Sequence, residues 1–255
     1  MIPLLLAGLA AGLALYALRL RARVRSLDRR IAAATRELEH TQEAFSHFAP
    51  RRVVDQVLRT GAAHSAERTE VTILFADLVG FTRMSETLDP AVLVGILNGY
   101  FERAGRAVAD HRGHISKFIG DGIMALFGAI ERNPWQCQDA VAAGQALLAA
   151  VADYNRQLAA EDLPTLQVAI GIHTGEVIAG VVGSESLLEF TVLGHHVNMA
   201  ARVESLTRSF DVPLLITRPV RDKVVELFEL QEMEPMPLKG IAEPVATWSV
   251  SARRR

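Results

Sequence analysis

The chain opens on an uncharged apolar run, Ile2 to Leu18, followed at once by Arg19, Arg21, Arg23 and Arg25. Such a run is about the minimum length for one bilayer-crossing helix, so the pattern predicts a transmembrane helix over residues 1–20. A cleaved signal peptide carries its positive charge ahead of the apolar stretch, whereas these arginines follow it. By the positive-inside bias they place the remainder in the cytoplasm, which implies a single-pass membrane protein with a cytoplasmic C-terminal domain. Apolar positions then recur at alternating spacings of three and four through Val24, Leu27, Ile31, Ala34, Leu38, Thr41, Phe45 and Phe48. This repeat predicts a coiled coil over residues 21–49, the alternative being an amphipathic helix lying on its own domain. Pro50 ends the repeat, and the polar stretch around Gly61 makes residues 50–68 a linker.

From Thr69 onward the pattern changes to short apolar runs alternating with helical periodicity. Val71 to Phe75 reads as a buried strand, and Thr82 to His111 as a helix. Two further runs, His114 to Ile119 and Ile123 to Phe127, meet at Gly120-Asp121-Gly122, a hairpin signal. An alanine-rich helix over Gln136 to Leu158 precedes a strand at Leu166 to Ile172. The order strand, helix, strand, strand, helix, strand predicts a ferredoxin-like βαββαβ core, an α/β (α+β) fold. Added strands at Val177 to Val182 and Leu188 to Leu193, a helix from His196 to Ser209, and strands near Leu214 to Thr217 and Ala246 to Val250 extend it, so residues 69–255 form the globular domain.

Composition narrows the function. With 255 residues, half of them apolar, the chain has material for one substantial domain plus a smaller part. A formal net charge of −2 offers no broad basic field, so nucleic acid is not an expected partner. The single cysteine, Cys137, has no partner for an internal disulfide and no CxxC or histidine companion for zinc.

Topology makes one acidic pair chemically interesting. Asp77 lies just past the first predicted strand and Asp121 at the hairpin tip, and in this fold those points share a sheet edge. Two carboxylates there suit Mg²⁺, which binds through one or two carboxylates plus substrate phosphates. The competing reading is that Asp77 caps a helix and Asp121 satisfies a turn. Gly80, Phe81 and Thr82 follow at a strand-to-helix junction, where free backbone N–H groups favour a phosphate chain.

Four segments carry a resemblance: ILFADLVGFT (73–82), KFIGDGIMALFG (117–128), GIHTGEVIAGVVG (171–183) and FTVLGHHVNMAARVE (190–204). In this order and spacing they closely resemble the catalytic domain of class III nucleotidyl cyclases. The resemblance implies that Asp77 and Asp121, helped by the Leu78 carbonyl, bind two divalent cations, Mg²⁺ or Mn²⁺. It further implies that Lys117 and Thr191 recognise the purine, and that Asn198 and Arg202 orient the ribose and stabilise charge on the α-phosphate. Lys239 matches a lysine region near the triphosphate. Lysine can only donate hydrogen bonds and so suits adenine N1, which points to ATP; guanine-specific relatives carry an acidic residue at that position. Thr191 departs from the aspartate common in adenylyl cyclases, and its hydroxyl can donate or accept.

In the family the metal-binding aspartates come from one protomer and the purine and transition-state residues from the other. This chain carries both sets, which implies a homodimer with two complete sites. The expected function is an adenylyl cyclase, with a guanylyl cyclase or a catalytically silent nucleotide-binding module as alternatives. His173, His195, His196 and Cys137 read as structural residues.

Overall fold

The computed structural model describes residues 66–184, 187–238, 240–241 and 243–254. The predicted transmembrane helix, the coiled coil and nearly all of the linker lie outside these residues. Among the described residues, no helix is long and apolar enough to cross a membrane.

The described domain contains strands β1 (Glu67–Leu78), β2 (His114–Ile119), β3 (Gly122–Phe127), β4 (Val168–Ser184), β5 (Leu187–Leu193), β6 (Leu214–Thr217), β7 (Phe228–Glu232) and β8 (Thr247–Arg253). Its helices are α1 (Phe81–Thr87), α2 (Pro90–Asp110), α3 (Gln136–Ala160), α4 (His195–Phe210) and α5 (Arg218–Val224). All eight strands join one sheet in the order β2-β3-β1-β4-β6-β8-β7, with β5 folded back on β4. The segment β2-β3-β1-β4 is antiparallel throughout and matches the expected ferredoxin-like core. Beyond it, β6 adds parallel to β4, and β8 and β7 complete the edge.

Both faces of the sheet are covered, which explains why its strands read as apolar runs instead of alternating ones. In β1, Leu74, Ala76 and Leu78 face a large core with Ile96 and Tyr100 of α2 and Val141 and Leu147 of α3. Val71 and Ile73, of opposite parity, face a second cluster that includes Val177, Val192 and Ala200 of α4. Each side chain of this size contributes about 1.5–3 kcal/mol when removed from water. Because successive side chains alternate, Asp77 shares the α4-facing side with Ile73.

Several boundaries differ from the sequence expectation. Strand β1 begins at Glu67, inside the predicted linker. The helix expected over 82–111 is two helices, because Asp89 accepts hydrogen bonds from the N–H groups of Ala91 (2.9 Å) and Val92 and Pro90 occupies the first helical position. Proline lacks the N–H that would continue α1, and the Asp89 cap starts a new helix in its place. The strands expected at 166–172 and 177–182 are one 17-residue strand, β4, whose C-terminal half carries the β5 hairpin. Neither α5 nor β7 was signalled by the sequence pattern. They are short, and their periodicity extends over too few residues to register.

Candidate active site

The acidic pair meets as the topology requires. Strand β3 runs antiparallel to both β1 and β2, so the C-terminal end of β1 and the β2–β3 turn share one edge. Register pairs Ala76 with Ile123, which carries Asp77 alongside the turn. A Cβ added to Gly122 would stand 2.9 Å from Asp77 Oδ1, so glycine there leaves room for the carboxyl. Asp77 and Asp121 lie close enough for the charge of one carboxyl to act on the other. Burial, then the Asp121 charge, raises the Asp77 pKa above the ordinary carboxylate value, while Arg208 and the Leu78 N–H pull it down.

This donor set fits a divalent cation. Two carboxylates held together concentrate negative charge that a cation neutralises, and Mg²⁺ completes its shell with water and phosphate oxygens. Among the described residues, no group of three or more His, Cys, Asp or Glu is placed to hold a metal. Leu78 packs its side chain into the core at 3% exposure, which leaves its backbone as the part available to a ligand.

Two residues that sequence reasoning missed complete the acid cluster. Arg208, near the end of α4, places Nη2 2.9 Å from Asp77 Oδ2 and Nη1 2.9 Å from Glu204 Oε1. Glu204 is buried, and that burial raises its pKa despite the guanidinium. Tyr100 lies beneath the cluster with its hydroxyl buried and unpaired; burial and the charges of Asp77, Asp121 and Glu204 raise its pKa. Only the i,i+4 spacing of Glu204 and Arg208 was visible in the sequence. Nothing in it linked that helix to Asp77.

Gly80 adopts φ 76°, ψ 15° and caps α1 with no side-chain hydrogen bond. That left-handed conformation suits glycine and turns the chain so that the first amides of α1 follow directly after Asp77. Phe81 packs against the core and Thr82 is exposed, so Phe81 offers its backbone to a phosphate chain.

The second residue set lies elsewhere in the chain. Lys117 Nζ forms an ion pair with Glu189 Oε1 of β5 at 3.0 Å. Thr191, two residues on, is buried, and Ser116 Oγ donates to the Phe190 carbonyl at 3.1 Å, so β5 passes close to β2 without pairing with it. Asn198 is exposed on α4. Arg202 is half-buried beside Gly240, where an added Cβ would stand 3.6 Å from its Nη2. Glu204 pairs with Arg208 and Glu176 with Arg68, so neither of these glutamates is committed to Arg202. Lys239 lies outside the described residues. Among the described residues, no hydrogen bond or ion pair joins Asp77 or Asp121 to Lys117, Thr191, Asn198 or Arg202.

The histidines behave as structural residues. His173 is 4% exposed; its Nδ1 is 2.7 Å from Thr217 Oγ1 and its Nε2 is 2.7 Å from His196 Nδ1. This chain of contacts fastens the start of α4, two residues before Asn198, to β4 and β6. Cys137 is buried in the first turn of α3, with Sγ 3.2 Å from Thr72 Oγ1.

Comparison with known proteins places this geometry in a family. Residues 63–252 match the family described as adenylate and guanylate cyclase catalytic domain. An adenylate cyclase of Anabaena cylindrica is 33% identical over 225 residues, 85% of this chain and 44% of the relative. Adenylate cyclase 1 of Rhizobium meliloti is 28% identical, over 77% of this chain and 30% of the relative. The chain therefore spans less than half the length of these relatives. Among solved structures, the guanylyl cyclase Cya2 superposes with a TM-score of 0.70 at 33% identity, covering 75% of this chain and 96% of that one. The adenylyl cyclase CyaB from P. aeruginosa superposes with a TM-score of 0.71 at 27% identity, covering 75% and 98%. The acidic edge and the α4 residues thus sit in a known framework: the chain belongs, through its catalytic domain, to the class III adenylyl and guanylyl cyclases.

Proposed function

We propose that this chain converts ATP to 3′,5′-cyclic AMP and pyrophosphate as a homodimer with two shared sites. Each site takes Asp77 and Asp121 from one subunit and Lys117, Thr191, Asn198 and Arg202 from the other. The observation that carries this reading is the division of the residues: one chain holds both sets, and among the described residues no hydrogen bond or ion pair joins one set to the other. Two half-sites in one chain make whole sites in a two-fold pair.

The chemistry follows from the side chains. The 3′-hydroxyl of the ribose attacks the α-phosphorus, loses its proton, and pyrophosphate leaves. Divalent cations, Mg²⁺ or Mn²⁺, held by Asp77, Asp121 and the Leu78 carbonyl, would supply a lowered hydroxyl pKa and neutralisation of phosphate charge. Arg202 presents a planar, permanently protonated fork to the charge growing on the α-phosphate. Asn198, on the same helix face, orients the ribose. The amides after Gly80 cradle the phosphates, with Lys239 assigned to the same phosphate chain.

Substrate choice rests on Lys117. An ammonium donates to adenine N1, whereas guanine presents its own N–H at that position and leaves the lysine without an acceptor. The ion pair with Glu189 is partly exposed and therefore weak enough to yield to a base. A guanylyl cyclase is the second reading, favoured by the similarity to Cya2 and by a Thr191 hydroxyl able to serve either purine.

Incubation of the purified protein with ATP or GTP and either Mg²⁺ or Mn²⁺, with the product identified by mass spectrometry, tests both. Cyclic AMP as the main product supports the proposal, and cyclic GMP alone reverses the substrate. Nucleotide binding without any cyclic product would establish a silent module. For the remainder of the chain we propose a membrane anchor at 1–20 and a dimerising coiled coil at 21–49, on the strength of the apolar run, the arginines after it and the heptad spacing.

A further inference from the structure

We infer that Arg208 is a positioning residue that competes with the divalent cation for Asp77, so that its guanidinium guards the acidic edge until metal displaces it. This inference rests on the reading of Asp77 as a metal ligand.

The geometry gives Arg208 two partners at once, Asp77 Oδ2 and Glu204 Oε1, each at 2.9 Å. Oδ2 is an oxygen that a cation at this edge would take. One oxygen can accept from a guanidinium N–H and still touch a metal, but a permanent positive charge so close opposes the arrival of a second, larger one. Asp77 and Glu204 both pair with Arg208, Asp121 adds a further negative charge beside Asp77, and Arg208 is the one cation that pairs with any of the three among the described residues. Arginine therefore supplies part of the charge neutralisation that a bound divalent cation would supply at the same oxygens.

Displacement is sterically open. The Arg208 side chain is 38% exposed, and it borders a cleft of about 440 Å³ lined also by Val79, Gln167, Thr207 and Asp211. Glu204, at 9% side-chain exposure, stays fixed and retains one hand of the fork when the other lets go. A guanidinium can thus release Asp77 without losing its second partner. The ordinary alternative is that Arg208 merely complements the C-terminal end of α4 and the i,i+4 Glu204. The two roles predict opposite effects on metal affinity.

The test is Mn²⁺ binding to the full chain without nucleotide, read from the electron paramagnetic resonance signal of free Mn²⁺. Arg208→Gln and Arg208→Met both remove the charge, and either one suffices if the other does not fold. Competition predicts that they bind Mn²⁺ about two- to fivefold more tightly than the natural chain, the scale of a partly exposed ion pair. Arg208→Lys, which keeps the charge without the fork, should fall between. Unchanged or weaker Mn²⁺ binding in the neutral variants overturns the inference in favour of a purely structural ion pair. Asp77→Asn separates the two layers of the argument. If that variant binds Mn²⁺ like the natural chain, the metal reading itself fails; if it loses binding while Arg208→Gln gains none, only the competition fails.

Discussion

Lys117 Nζ lies 3.0 Å from Glu189 Oε1, so the residue assigned to purine recognition is tied to the β5 hairpin of its own subunit. Both side chains are partly exposed, at 32% and 43%, and an ion pair in that setting contributes about 0–1 kcal/mol. Glu189 is therefore expected to orient Lys117 without withholding it. Glu189→Gln should change the KM for ATP by less than about fivefold, the limit that such a pair sets. Lys117→Ala, which removes the donor to the base, should raise it at least about tenfold. Steady-state kinetics on the two variants checks the ranking, and equal effects would mean that the pair, not the base contact, is what matters.

Sharing of sites between subunits makes a mixing experiment decisive. Asp77→Ala and Arg202→Ala should each be nearly inactive as homodimers. Mixed in equal amounts and allowed to exchange, half the dimers are heterodimers with one whole site, so about a quarter of the natural activity should return. Heterodimers that form, as judged by differently tagged subunits, yet remain inactive would contradict shared sites.

His173, which is buried, and His114, which is largely withdrawn from water, predict how stability depends on pH. Burial lowers the pKa of His114 to about 4 and that of His173 to about 3, against about 6.5 in an unfolded chain. The unfolded state therefore binds more protons below pH 6.5. Stability from this source is fully present above that value and is lost as pH falls through the window toward 4 and then 3. Each group contributes a slope of about 1.4 kcal/mol per pH unit inside its window. Urea midpoints measured from pH 7 to pH 4 should fall steadily, and His173→Gln should flatten the slope by about one proton. An unaltered slope in that variant would remove His173 from the account.

Gly171 allows α4 to approach β4. An added Cβ would stand 2.1 Å from the Glu204 nitrogen and 2.5 Å from its Cα, both backbone atoms that cannot swing aside. Gly171→Ala should cost about 1–3 kcal/mol of stability. It should also lower activity out of proportion, because Asn198, Arg202 and Arg208 all ride on the displaced helix. Gly95→Ala on α2, where an added Cβ meets nothing within 4 Å, is the control and should leave stability unchanged or raise it by up to about 1 kcal/mol. Thermal melts and turnover measured together check both variants.

Much of the site was legible in the chain because its signals are local. Hydrophobic runs and the Gly120-Asp121-Gly122 turn indicated β1, β2 and β3, and a ferredoxin-like order of those strands leaves Asp77 and Asp121 little choice but to meet at one edge. The Asn198 to Arg202 spacing likewise follows from helical periodicity. Division of the 82–111 helix was also written locally, in Asp89-Pro90, and reading the apolar period alone passed over it.

Other relationships were decided only in three dimensions. The chain carries no local mark that Arg208 reaches Asp77, 131 positions away, or that Glu189 meets Lys117 across β2 and β5. Such contacts depend on how closely α4 lies on the sheet and on where the β4–β5 hairpin folds, which backbone approach at Gly171 and strand pairing set together. Periodicity along one segment specifies which face of an element is buried. It does not specify which charged side chain from a distant element will arrive there, because that choice is made by packing and desolvation after the elements have assembled.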